Sequence, residues 1–185
     1  MNITKDAVLD AVAALMRQRF GVTAERSKQF VWPLPNDVIL SEAKDLVSNF
    51  TVIADLYLPP PLHCIVQFDD ATHCTRERAT TFASYPSDTP LNFDVRRYYA
   101  DQTPGDAAIA QTDVLADQLP PKHGLNPTVR IRADEIEELT GPLAERIESV
   151  LSHRFAYHAG TTFHLMVDNA GAKPHSQTMH GNLSD

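Results

Sequence analysis

Apolar positions recur at helical spacing near the start of the chain, where Val8, Val12, Leu15, Met16 and Phe20 fall on one stripe. The pattern predicts an amphipathic helix over residues 4–19, opened by Asp6 at the positive helix end and closed by Gly21. The period then shortens. Phe30, Val31 and Trp32 predict a short strand before Pro33 and Pro35, and Ser41 to Leu46 a helical turn capped by Ser41. Val52, Ile53, Leu56, Tyr57 and Leu58 form one β-prone run and Leu62 to Phe68 a second. Pro59, Pro60 and Pro61 between them donate no ladder hydrogen bonds, so the two runs predict a hairpin.

Past the hairpin, Thr75 is placed to cap a helix carrying Ala79, Phe82 and Ala83 that stops before Pro86. Phe93 to Asp101 and Asp106 to Leu119 predict two further helices separated by Thr-Pro-Gly, with Pro120-Pro121 and His123-Gly124 expected to end the second. Thr128 to Arg132 alternates, which predicts a strand with Val129 and Ile131 inward and Arg130 and Arg132 outward. It leads straight into the acidic helix start Asp134-Glu135-Ile136. Thr140 restarts a helix with Pro142 in its first turn, and Leu143, Ile147, Val150 and Leu151 form its apolar stripe. Thr161 to Val167 predicts an edge strand, and the composition from residue 168 onward predicts a disordered tail over 168–185. The expected fold class is α/β, a mixed central sheet flanked by helices within a single domain over 1–167.

Composition narrows the picture without changing it. The 185 residues suffice for one well-buried core, and 43% hydrophobic with 22% charged residues is ordinary for a globular chain. No apolar run approaches the roughly 18 residues that span a bilayer, and the N-terminus lacks a basic-then-apolar signal pattern, so a cytoplasmic protein without membrane attachment is expected. A formal net charge of −8 argues against a generic nucleic-acid coat, because nonspecific DNA binding needs clustered Lys and Arg. It leaves room for a local groove: Arg76 with Arg78, Arg96 with Arg97 and Arg130 with Arg132 form three pairs that could share one face, and Tyr98 and Tyr99 either stack on bases or pack the helix. Cys64 and Cys74 do not make a disulfide framework. Nor do the His63-Cys64 and His73-Cys74 pairs build a zinc site, since consecutive strand residues point to opposite faces.

The chemistry gathers at the hairpin. With its turn centred on residue 60 or 61, Asp55 lies opposite Gln67, their Cβ atoms about 5 Å apart. A one-residue slip would move one of them to the other face. Asp69 shares the Gln67 face, His73 lies past the strand end where it can fold back over the same spot, and Arg76 and Arg78 open the next segment. Such a set suits one hard cation with an attacking water, because Mg²⁺ takes oxygen ligands and keeps several of its waters. The same aspartates are also ordinary turn residues that bond nearby backbone amides.

An aspartate on one strand, an E-x-D-G-x-x-H segment ending the next and arginines on the following helix resemble the PD-(D/E)XK nuclease superfamily, and most closely its small branch similar to very-short-patch repair endonucleases. Here the segments are A-D-L-Y-L-P at Ala54 to Pro59 and V-Q-F-D-D-A-T-H at Val66 to His73. The resemblance implies a restriction-endonuclease-like core in which residues 86–124 are a helical insertion. It implies a metal-dependent endonuclease acting on DNA with Mg²⁺ or Mn²⁺, Asp55 as principal metal ligand, Gln67 in the acidic position, Asp69 in that of the second acidic or lysine residue and His73 as general base. Arg76 or Arg78 would bind the phosphate. The chain departs from the motif at Gln67, which is not Glu, at Asp70, which is not Gly, and in having no lysine after it. Those departures motivate the alternative, a noncatalytic nuclease-fold protein that binds nucleic acid or a protein partner, as in phage or bacterial defence.

Overall fold

A computed structural model describes residues 3–33, 49–157 and 163–165. The expected turn at Ser41 to Leu46 and the expected tail over 168–185 lie outside the described residues. Helix α1 (Lys5–Phe20) is capped by the Thr4 hydroxyl and closed by Gly21 in the left-handed region at φ 66. Val8, Leu9, Val12 and Met16 are its buried stripe. Strands β1 (Glu25–Pro33), β2 (Asn49–Leu58), β3 (Cys64–Asp69) and β4 (Val129–Arg132) form one mixed sheet in that order. The first two junctions are antiparallel and the β3–β4 junction is parallel. β1 is longer than the expected strand at Phe30 to Trp32 because Glu25 to Lys28 also pair along β2, around Ser27 at φ 50.

The β2–β3 hairpin has the expected register, with Leu56 opposite Val66, Tyr57 opposite Ile65 and Leu58 opposite Cys64. Regular pairing stops there. β2 continues beside β1 and β3 continues beside β4, so the sheet forks at Asp55 and Gln67.

One core packs α1 and α6 (Leu143–Ser152) against Leu56, Leu58, Val66, Phe68, Val129 and Ile131. A second seats α4 (Ala107–Lys122) on Val52, Ala54 and Ile65 through Leu115, Ala116 and Leu119. Between β3 and α4 run α2 (Arg76–Thr81), a short 3₁₀ turn at Phe82–Ser84 and α3 (Val95–Tyr99); an aromatic cluster of Phe82, Phe93 and Tyr98 joins them. Helix α5 (Ala133–Glu137) follows β4, and β5 (Phe155–Tyr157) pairs with β6 (Phe163–Leu165) in a separate ribbon rather than at the main sheet edge. No helix among the described residues is long and apolar enough to cross a membrane.

Two sequence expectations are corrected. Pro120 and Pro121 do not end α4, which runs on to Lys122. Pro120 lacks the amide that would bond the Ala116 carbonyl four residues back, and the Thr128 hydroxyl donates to that carbonyl instead at 2.5 Å. The arginines of β4 do not face outward: Arg130 is fully buried and Arg132 nearly so. Both faces of β4 are covered, by the α1–α6 core on one side and by carboxylates of α4 on the other.

Candidate functional site

At the fork the strands are bridged by side chains in place of ladder rungs. The Gln67 amide donates to the Ile53 carbonyl at 2.9 Å and accepts a longer bond from the Asp55 amide at 3.4 Å. Asp55 returns the contact, its Oδ2 accepting from the Phe68 amide at 2.8 Å. Its Oδ1 pairs at 2.6 Å with the Lys5 ammonium, which reaches over from the first turn of α1. Asp55 and Gln67 are therefore neighbours, as the hairpin register requires, and each is already engaged.

Asp69 points elsewhere, into a buried ion network beneath α4. Its Oδ1 accepts from Arg130 at 2.7 Å and its Oδ2 from the Tyr98 hydroxyl. Arg130 also bonds Asp117 at 2.7 Å and Asp113 at 3.1 Å. Arg78 is fully buried, donating to Asp117, to the Thr81 hydroxyl at 3.0 Å and to the Tyr85 hydroxyl at 2.8 Å, its guanidinium 4.3 Å from the Phe82 ring centre. Three carboxylates thus face two guanidinium groups. Spacing four residues apart puts Asp113 and Asp117 on one face of α4, against the Arg130 face of β4.

His73 closes the network toward solvent. Its Nδ1 lies 3.0 Å from Asp113 Oδ2, and its side chain is 29% exposed. Hydrogen bonding to Asp113 raises the His73 pKa above its ordinary value against the opposing effect of burial. Burial also opposes ionisation of Asp113, but Arg130, His73 and Arg78 more than offset it and hold that carboxyl below the usual range. Burial pushes the Asp69 carboxyl up, against the pull of Arg130. At the strand end Asp70 accepts from the Thr72 amide and hydroxyl; burial works against its ionisation, yet those bonds, with the charges of His73 and Lys5, hold it below the ordinary value. Asp70 thus feels the charges of both His73 and Lys5.

The three expected metal ligands do not converge. Asp69 has both oxygens committed beside a guanidinium, which repels a cation, and the Gln67 amide is spent on backbone. Asp69, His73 and Asp113 offer ligand atoms within 4.8 Å of one another, but Arg130 occupies two of the three. Asp55 remains at the fork, with Oδ1 on Lys5 and Oδ2 on the Phe68 amide. Its partner Lys5 is 47% exposed and Asp55 itself 15%, so the pair is partly screened, worth on the order of 1 kcal/mol, and its ammonium end is free to turn toward solvent. A single carboxylate completed by substrate phosphate and waters is an ordinary Mg²⁺ arrangement.

Of the arginines expected to meet phosphate, Arg76 is exposed at the start of α2, paired with Glu77 at 2.9 Å. Arg78 is removed from that role by burial. Arg96 and Arg97 pair with Asp94 and Glu138, Tyr98 is buried on Asp69, and Tyr99 is 54% exposed, so the four do not form one stacking surface. Sequence reasoning missed Lys5, Asp113, Asp117 and the inward Arg130. Among these, only the four-residue spacing of Asp113 and Asp117 left a trace in the sequence. Comparison of the chain with protein-family models, curated proteins and solved structures finds no match.

Proposed function

We propose that this chain is a metal-dependent phosphodiester hydrolase acting on DNA, built on a restriction-endonuclease-like core. The observation that carries the reading is the fork between β2 and β3, which holds the Asp55 carboxylate at the same end of β3 from which the His73–Asp113 pair emerges. The order helix, three antiparallel strands, helices and a parallel fourth strand supports such a core.

Asp55 would hold Mg²⁺ or Mn²⁺, which when bound supplies Lewis-acid stabilisation and an activated water. Gln67 sets the width of the fork. Asp113 accepts from His73 Nδ1–H, which leaves Nε2 to take a proton from water, and the same bond makes the imidazole more basic. Asp69 acts at one remove, fixing Arg130 and with it Asp113. Lys5 and Arg76 present positive charge to a phosphate. Incubation of the protein with plasmid and Mg²⁺ or Mn²⁺ beside Asp55→Ala and His73→Ala tests this; identical behaviour of the three proteins would remove it.

A second reading, a noncatalytic nuclease-fold protein that binds nucleic acid or a protein partner, is favoured by the full engagement of Asp55 and Gln67. Salt-sensitive binding of a DNA duplex without cleavage, with cleavage appearing only in Gln67→Glu, would favour it over the first.

A further inference from the structure

Lys5 sits on the first turn of α1, far in sequence from every residue of the fork, yet its ammonium is 2.6 Å from Asp55 Oδ1. The other Asp55 oxygen is held by the Phe68 amide, so the Lys5 side is the one from which a cation can approach. The two carboxylate-bound partners differ in kind. Phe68 N–H belongs to the sheet and is fixed, whereas the Lys5 side chain is half exposed on a flexible stem and can turn toward another anion.

We propose that Lys5 occupies the cation position of Asp55 in the free protein and exchanges it for a divalent ion when a phosphate draws the ammonium away. The inference rests on the metal-binding role proposed above for Asp55. It assigns Lys5 a positioning role, that of coupling phosphate binding to metal binding. Two cations cannot share Asp55 Oδ1 without repulsion, so metal and ammonium compete, and a phosphate that takes the ammonium relieves the competition. Binding of either ligand therefore strengthens the other by the same factor. The arrangement also explains why a chain with Gln67 in the acidic position need not carry a preformed metal centre: the second anionic partner of the ion arrives with the substrate.

The test is a Mn²⁺ titration followed by electron paramagnetic resonance on wild type, Lys5→Gln and Lys5→Gln/Asp55→Asn, with thermal unfolding of each as a check on folding. Lys5→Gln is expected to bind Mn²⁺ about fivefold tighter than wild type, the factor carried by an exposed ion pair at the upper end of its range. The added Asp55→Asn change is expected to abolish that gain. Equal Mn²⁺ affinity in wild type and Lys5→Gln overturns the proposal, as does a gain that survives Asp55→Asn. A short DNA duplex added to saturation should tighten Mn²⁺ binding more in wild type than in Lys5→Gln; equal tightening also overturns it. Plasmid cleavage reports separately. A gain in Lys5→Gln with no cleavage by either protein keeps the exchange and removes the hydrolase, and cleavage with unchanged Mn²⁺ affinity does the reverse.

Discussion

Replacing Arg130 by methionine strikes the point where three buried carboxylates are tied together. Arg130 is fully buried and bonds Asp69 and Asp117 at 2.7 Å and Asp113 at 3.1 Å, all three acids being buried as well. Methionine restores most of the volume and none of the charge. Breaking one buried pair by removing a partner costs about 3–5 kcal/mol, and here one guanidinium serves three partners, so a loss near 5 kcal/mol is expected. For a chain of this length that corresponds to a fall in melting temperature of about 10–20 °C. Urea unfolding followed by circular dichroism measures it. Without Arg130 the Asp69 and Asp113 carboxyls lose the guanidinium that counters their burial, which raises their folded-state pKa values. The penalty is then absent below the unfolded values and grows as pH rises through the folded ones, so the loss measured at about pH 8 should exceed that at about pH 4.5. A loss under about 1 kcal/mol, or one that does not vary with pH, would refute the idea that Arg130 neutralises this network.

Gln67→Glu sets a carboxylate oxygen against the Ile53 carbonyl in place of a donor, and should cost about 1–3 kcal/mol at neutral pH in chemical unfolding even if it strengthens metal binding. Thr128→Val leaves the Ala116 carbonyl without its 2.5 Å donor inside a buried helix end; a loss of about 1–3 kcal/mol is expected, with faster amide exchange confined to the last turn of α4. His73 carries a pKa raised by Asp113, so its stabilising effect is full below about 6.5 and fades as pH rises through the higher folded value. His73→Gln should flatten that part of the stability profile, which urea midpoints across the range will show. Gly105→Ala should destabilise the start of α2, because a Cβ there would lie 2.4 Å from the Thr75 side chain, and scanning calorimetry should register a lower melting temperature.

How legible the fold was depended on how local its determinants are. Three prolines flanked by β-prone runs fix a turn and with it the pairing of Leu56 with Val66, a matter of a dozen residues. The helix at the N-terminus announced itself by stripe, cap and glycine. The strand V-R-I-R was misread because alternation normally means a half-exposed strand; nothing nearby says that carboxylates from α4 will cover the arginine face. Likewise the polar positions Asp113 and Asp117 look like a solvated side of α4 until β4 is laid against them. The helix-ending force of Pro120-Pro121 was overridden by a hydroxyl from the loop that leads into β4. At the fork, Asp55 beside Gln67 was foreseen from hairpin geometry, but Lys5 was not. No rule of spacing links a residue in the first helical turn to one in the second strand, and the tertiary packing of α1 makes that introduction.

The buried ion network has a consequence for how this protein is assembled. Its charges are distributed over four elements, β3, α2, α4 and β4, between Asp69 and Arg130. None of those pieces can leave water by itself without stranding a bare charge, so each must wait for the others and they settle as one body. The part of the molecule containing them, with the Val52 and Ala54 stretch of β2 on which α4 sits, should accordingly melt in a single sharp step.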